Sequence, residues 1–136
     1  MWEAAVRPWC KAAVWNMGLS FISSREMEKD GIIANLDGEL ITISGTVAIV
    51  EMKATTTSDT NPLLKPNWMC QTKAYCHMVG VNQVWFIVLH MPRRGAPEAR
   101  VYQHIVTFEG WELAENWNML MSTKEYLISK GIQLWK

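Results

Sequence analysis

The chain has no apolar run near the about eighteen residues that a membrane-spanning helix needs. Its longest apolar stretch, Val84 to Leu89, is strand-sized. The opening Met1-Trp2-Glu3-Ala4-Ala5 lacks the basic-then-apolar layout of a secretory signal. The expectation is a soluble protein of the cytoplasm (the host cytoplasm if the chain is viral), with no membrane partner. Cysteine is scarce. Cys10, Cys70 and Cys76 make an odd count with no C-x-x-C pair, so zinc knuckles and redox pairs are not indicated and buried free thiols are expected. An iron–sulfur cluster takes four thiolates, and the chain has 3 cysteines. Glycine-rich phosphate loops of the G-x-G-x-x-G or G-x-x-x-x-G-K-[ST] kind are absent, which disfavours kinase or motor chemistry. No nucleophile elbow surrounds Ser23 or Ser44. His77, His90 and His104 are scattered without ligand spacing and read as structural or surface residues. An excess of charge of either sign is also missing: 13 basic residues balance 13 acidic ones. A protein that coats nucleic acid nonspecifically is usually basic. Neutrality disfavours that role but permits a local site.

What is present is a chain of 136 residues, 49% hydrophobic. That fits one globular domain, here 1–136, with a core large enough to fold unaided. Tryptophan is abundant, with 8 residues. Trp2, Trp9 and Trp15 fall near one face of a helix expected over 2–17, as core or an oligomer contact. A small domain with so many tryptophans is expected to work as a homo-oligomer.

From Leu19 the apolar period changes to two. Leu19 to Glu28 reads as a strand and Lys29-Asp30-Gly31 as a hairpin turn. Ile32–Leu36 and Leu40–Ile43 form a second strand, interrupted at Asp37-Gly38. After the Ser44-Gly45 turn, Thr46 to Thr55 is a third. Its apolar run Val47-Ala48-Ile49-Val50 suits a central position. Residues 55–65 read as loop. Pro66 fits the first turn of a helix ending at Val79, with Gly80 just beyond. Val81–Met91 and Ala99–Phe108 read as strands on either side of a polar turn, Pro92–Pro97. Glu109 to Lys130 is a closing helix with Leu113, Trp117, Leu120, Met121 and Leu127 near one face and Gly131 after it. The expected order is αβββαββα: an α/β fold, with a mixed sheet containing a three-stranded antiparallel meander and flanked by helices.

The chemistry-bearing residues lie on the meander. Glu51 and Lys53 are two apart on a strand, so both leave one face, while Val50 and Met52 leave the other. Asp37 sits on the adjacent strand, about 4.8 Å away. Asp37 and Glu51 can therefore converge on one divalent cation. Magnesium takes one or two carboxylates and keeps several waters. A backbone carbonyl, assigned to Met52, would complete the protein's share. Lys53 beside such an ion would favour hydroxide or stabilise charge developing on a phosphate. Gln71 and Tyr75 share a face of the following helix. Read alone they are a solvated Gln and a packed Tyr. Arg93, Arg94 and Arg100 form a basic cluster, either a solvated hairpin tip or a phosphate contact.

The order Leu36-Asp37-Gly38, then Ile49-Val50-Glu51-Met52-Lys53, then Gln71-Thr72-Lys73-Ala74-Tyr75 resembles the PD-(D/E)XK nuclease superfamily. The similarity is to its RecB-like, Cas4-like and phage exonuclease branch and spans roughly residues 18–92. It implies a restriction-endonuclease-like core. Asp37 and Glu51 would be metal ligands, Lys53 the catalytic lysine, and Gln71 and Tyr75 a supporting motif near the DNA backbone. It further implies a magnesium- or manganese-dependent deoxyribonuclease, exo- or endonucleolytic, in recombination, repair or replication of a phage or mobile element. The cysteine cluster of Cas4 proteins is missing, so no iron–sulfur cluster is expected. Leu36 replaces the usual proline. Relatives often carry a further acidic ligand, for which Glu3, Glu26 and Glu28 are the candidates. The alternative is a non-catalytic nucleic-acid-binding or assembly protein on the same fold.

Overall fold

The computed structural model describes residues 20–57, 59–91 and 98–132. The helix expected over 2–17, Glu3, Cys10 and the Pro92–Pro97 turn lie outside them. Five strands form one sheet in sequence order. They are β1 (Ser20–Lys29), β2 (Ile32–Thr42), β3 (Gly45–Thr55), β4 (Gln83–His90) and β5 (Arg100–Thr107). Helices α1 (Pro66–Val79) and α2 (Gly110–Ser129) flank it, and a single 3-10 turn, Pro62–Leu64, precedes α1. The sheet is mixed: β1, β2 and β3 are antiparallel neighbours, β3 and β4 are parallel, and β4 and β5 are antiparallel. A parallel pair needs a long crossover, and α1 supplies it. This is the restriction-endonuclease-like arrangement, with βββαββα running through the described residues.

Local chemistry accounts for the junctions. The β1–β2 turn has positive φ at both Asp30 (52°) and Gly31 (79°), the mirror-image turn that matches strand twist. Pro66 occupies the first turn of α1, where a missing N–H costs nothing. Gly80 closes that helix in the left-handed region, and the Gly80 and Val81 amides both donate to Cys76 O. Glu109 and Glu112 form a reciprocal capping box at the start of α2.

Alternation along β3 and β4 divides the core. Ile49, Val84, Phe86 and Val88 face α1 and α2, where they meet Ala74, Cys76, Met78, Leu113 and Trp117. Ala48, Val50, Met52, Trp85 and Ile87 form a second cluster on the opposite face with Leu40. The cysteines are expected to be buried free thiols; Cys76 is one, while Cys70 is free but only partly buried.

One expectation is corrected. Asp37-Gly38 does not interrupt β2, which runs unbroken from Ile32 to Thr42. The turn-forming pair has a different effect. Leu36 and Leu40 share strand parity yet join opposite clusters, so β2 turns over about its own axis between them. The β1 ladder runs Ser23–Gly38 and then Arg25–Leu36 across the same point. Glycine at 38 accommodates the twist. The expected 55–65 loop also differs slightly, because Asn61 caps the short Pro62–Leu64 turn by accepting from Leu63 N at 3.1 Å.

Candidate active site

The backbone ladder between β2 and β3 extends up to Gly38–Val50. One residue further the two strands part, and a side chain fills the gap: Asp37 Oδ2 accepts the Met52 N–H at 2.8 Å. The same register brings Asp37 opposite Glu51. Met52 points its side chain into the second cluster and contributes only backbone here. In an extended strand the N–H and C=O of one residue face the same neighbour. The Met52 carbonyl therefore faces the Asp37 side.

Glu51 is 4% exposed. Burial, then the Asp37 carboxylate, push its carboxyl up to about 8, against the opposing pull of Lys53. Its Oε1 lies 3.1 Å from Lys53 Nζ. Its Oε2 is buried and meets no donor group, with the Asp37 carboxyl beside it. Such an atom normally costs about 1–3 kcal/mol and calls for an explanation.

From Lys53 a chain of contacts runs up α1. Lys53 Nζ donates to Gln71 Oε1 at 2.5 Å, and Gln71 Nε2 donates to Tyr75 Oη at 2.8 Å. An ammonium only donates, so it fixes which end of the Gln71 amide turns toward it. Tyr75 is buried, and burial raises its phenol above the ordinary range; Glu51 and Asp37 push the same way, while the Gln71 hydrogen bond opposes. Asp37, Glu51, Lys53, Gln71 and Tyr75 thus stand together on one face of the sheet beneath α1. Neither the solvated Gln nor the merely packed Tyr is what these two positions hold.

Trp68, one turn before Gln71, is an addition that spacing alone did not single out. The ammonium groups of Lys53 and Lys65 lie 5.9 and 5.7 Å from its ring centroid. Glu39 is a second addition. It is 1% exposed and held by Arg25, with Nε to Oε2 at 2.6 Å and Nη2 to Oε1 at 2.8 Å. The sequence signal was available in Asp37-Gly38-Glu39, two acids at strand spacing.

Of the candidates for a third acidic ligand, Glu3 lies outside the described residues, and Glu26 and Glu28 do not join the pair. Glu26 and Glu28 are exposed, and Glu28 instead accepts the Gly31 N–H of its own hairpin at 3.1 Å. Among the described residues no group of three or more His, Cys, Asp or Glu stands ready for a metal ion. His77 stacks on Trp117 at 4.5 Å and His104 meets Thr60. Among the described residues the donor set available to a cation is therefore two carboxylates and the Met52 carbonyl. That set fits magnesium or manganese, which takes few protein ligands and keeps water. Glu51 Oε2, which meets no donor group, is the atom such an ion would satisfy.

No protein-family model matches the chain, and no curated protein matches it significantly. Among solved structures it is similar to an alkaline exonuclease from Laribacter hongkongensis, at 14% identity and a TM-score of 0.51, over 94% of this chain and 71% of that one. A second solved protein, SSO0001, superposes over 87% of this chain and 56% of its own at 16% identity, with a TM-score of 0.40. The first likeness is one of fold, and the second is too loose to argue from.

Proposed function

We propose that the protein is a divalent-metal-dependent nuclease that hydrolyses DNA phosphodiester bonds, serving recombination, repair or replication of a phage or mobile element. The observation that carries this is Glu51 Oε2, a buried carboxylate oxygen that meets no donor group, set beside Asp37 and two residues before a lysine that shares its face. Most buried side-chain polar atoms find a donor or acceptor, so an oxygen that faces only another carboxyl calls for a cation. The fold it shares with an exonuclease adds support.

Asp37, Glu51 and the Met52 carbonyl would hold the ion, which when bound supplies Lewis-acid activation of water and of the phosphate. The remaining work belongs to the chain. Lys53 presents a positive charge on the same side as the two carboxylates, where a phosphate gains negative charge as water attacks it. Gln71 holds that ammonium in place, and Tyr75 holds Gln71. Both lie on a helix rather than a loop, so the lysine is pre-positioned and little reorganisation is needed.

End-labelled linear duplex and single-stranded DNA, incubated with magnesium or manganese, test the reading. Cutting is expected with metal, none in EDTA, and none by Glu51→Gln. Glu51→Gln cutting at the parent rate would overturn it. A parent protein that binds DNA but cuts no substrate with either metal favours the non-catalytic binding protein on the same fold.

A further inference from the structure

Trp68 lies three residues before Gln71 and seven before Tyr75, so all three share one face of α1. Its indole is half-buried and stacked on the fully buried Phe86, with centroids 6.3 Å apart and planes 23° from parallel. That anchor holds the ring rigid. Two ammonium groups, Lys53 and Lys65, stand over it at 5.9 and 5.7 Å. Each gains about 0.5–1 kcal/mol from the ring. Lys53 is already paired with Glu51 at 3.1 Å. Lys65 donates its hydrogen bond to Thr57 Oγ1 at 3.1 Å, a neutral acceptor. Thr57 in turn bonds Thr55 Oγ1 at 2.9 Å, on the strand that carries Lys53. Hydroxyls, two cations and a fixed aromatic plane thus meet at one edge of the site. An anion attached to a flat ring would pair with the Lys65 ammonium, whose hydrogen bond goes to a neutral hydroxyl, and use the plane.

We infer that Trp68 and Lys65 form a subsite for one unpaired nucleotide of a DNA strand, with its base on the indole and its phosphate on the Lys65 ammonium. This rests on the nuclease reading of the neighbouring site. A base reaches a tryptophan face only when it has left its duplex stack. The subsite therefore selects single-stranded or frayed DNA over intact duplex. It sits on the Lys53 side of the metal ligands, so the stacked nucleotide flanks the bond to be cut. Stacking on an aromatic side chain tolerates every base, so no sequence preference is expected here.

The test is binding without turnover. Anisotropy of a labelled single-stranded oligonucleotide, and of a blunt duplex of the same sequence, is measured in EDTA on the full chain. The parent is expected to bind the single strand more tightly. Trp68→Ala should weaken single-strand binding by about 5- to 150-fold and leave duplex binding nearly unchanged, while Trp68→Phe retains most of it. The Lys65 ammonium makes an exposed contact to Thr57, so its substitution does not put the fold at stake. Lys65→Gln should lower the slope of log affinity against log salt by about 0.7, the share of one phosphate on a single strand. Parent-like single-strand binding by Trp68→Ala and Lys65→Gln, or equal losses on duplex, would overturn the inference. Cleavage with magnesium is scored separately. A parent that binds as described but never cuts upholds the subsite and sinks the nuclease reading. A parent that cuts while Trp68→Ala binds normally does the reverse.

Discussion

Asp37 completes the sheet with its side chain: its Oδ2 takes the Met52 N–H at 2.8 Å where β2 has already parted from β3. The contact ties one strand to the next at the point where the two carboxylates meet. It also gives Asp37 a structural duty beside any role toward a cation.

The two duties are separable. Asp37→Asn keeps an acceptor oxygen for Met52 but loses the charge. Its thermal unfolding should stay close to the parent, while manganese binding by calorimetry falls below detection. Asp37→Ala leaves the amide of a buried residue unpaired and should cost about 1–3 kcal/mol of stability in urea. Equal stability of the Ala and parent proteins would show that the Met52 amide finds another partner.

Glu51 predicts a pH dependence with a definite sign. Its carboxyl is raised from 4.5 to about 8 in the fold, first by burial and then by Asp37. Between those values the folded state holds a proton that the unfolded state has lost. Stability in EDTA should therefore be greatest below about pH 4.5 as far as this group is concerned, and decline as pH rises toward 8, by up to about 1.4 kcal/mol per pH unit. Glu51→Gln removes this slope. Metal binding must displace the proton, so titration at pH 7 in buffers of different ionisation enthalpy should reveal proton release. A parent unfolding profile parallel to that of Glu51→Gln across pH 5 to 8 would contradict the assignment.

The relay above Lys53 predicts graded losses. Gln71→Ala removes an acceptor for an ammonium, a bond of about 1.5–3 kcal/mol, which corresponds to cleavage about 10- to 150-fold slower. Tyr75→Phe removes a neutral bond one step further out, of about 0.5–1.5 kcal/mol, or about 2- to 12-fold. Neither should change manganese affinity. Single-turnover rates beside calorimetry separate the two effects. Tyr75→Phe slower than Gln71→Ala would place the phenol, not the amide, next to the reaction.

Much of this architecture was legible in the residues. Pro66 and Gly80 bracket α1 because one cannot donate and the other tolerates positive φ. Asp30 and Gly31 mark the hairpin for the same reason of backbone preference. The convergence of Asp37, Glu51 and Lys53 follows from period-two alternation on neighbouring strands. What resisted reading was tertiary. The turn signal of Asp37-Gly38 is overridden by the ladder to β1 on one side and β3 on the other, so the strand twists instead of breaking. Trp68 carries no local signal, because no spacing rule states that two lysines from different elements will meet its ring. The Arg25–Glu39 pair spans two strands, so no spacing rule announces it.

That pair supports a last prediction. Glu39 is a carboxylate at 1% exposure, two residues from Asp37 on β2, and its two oxygens take both Arg25 bonds at 2.6 and 2.8 Å. Thr46 Oγ1 adds a longer contact at 3.4 Å. The hydrogen bond to Glu39 also raises the Arg25 guanidinium above its already high value. Breaking a buried pair by removing one partner strands the other charge. Arg25→Ala should therefore destabilise, but the Arg25 side chain is 47% exposed and water can enter in its place, so the expected cost is about 1–3 kcal/mol rather than the larger penalty of a sealed site. Arg25→Met combined with Glu39→Leu removes both charges and should recover most of the stability. Urea unfolding of the two proteins at pH 7 decides the matter. Arg25→Ala as stable as the parent at pH 7 would mean that Glu39 is satisfied without its arginine. A double variant less stable than Arg25→Ala would mean that the pair fixes the β1–β2 geometry in a way that apolar side chains cannot replace.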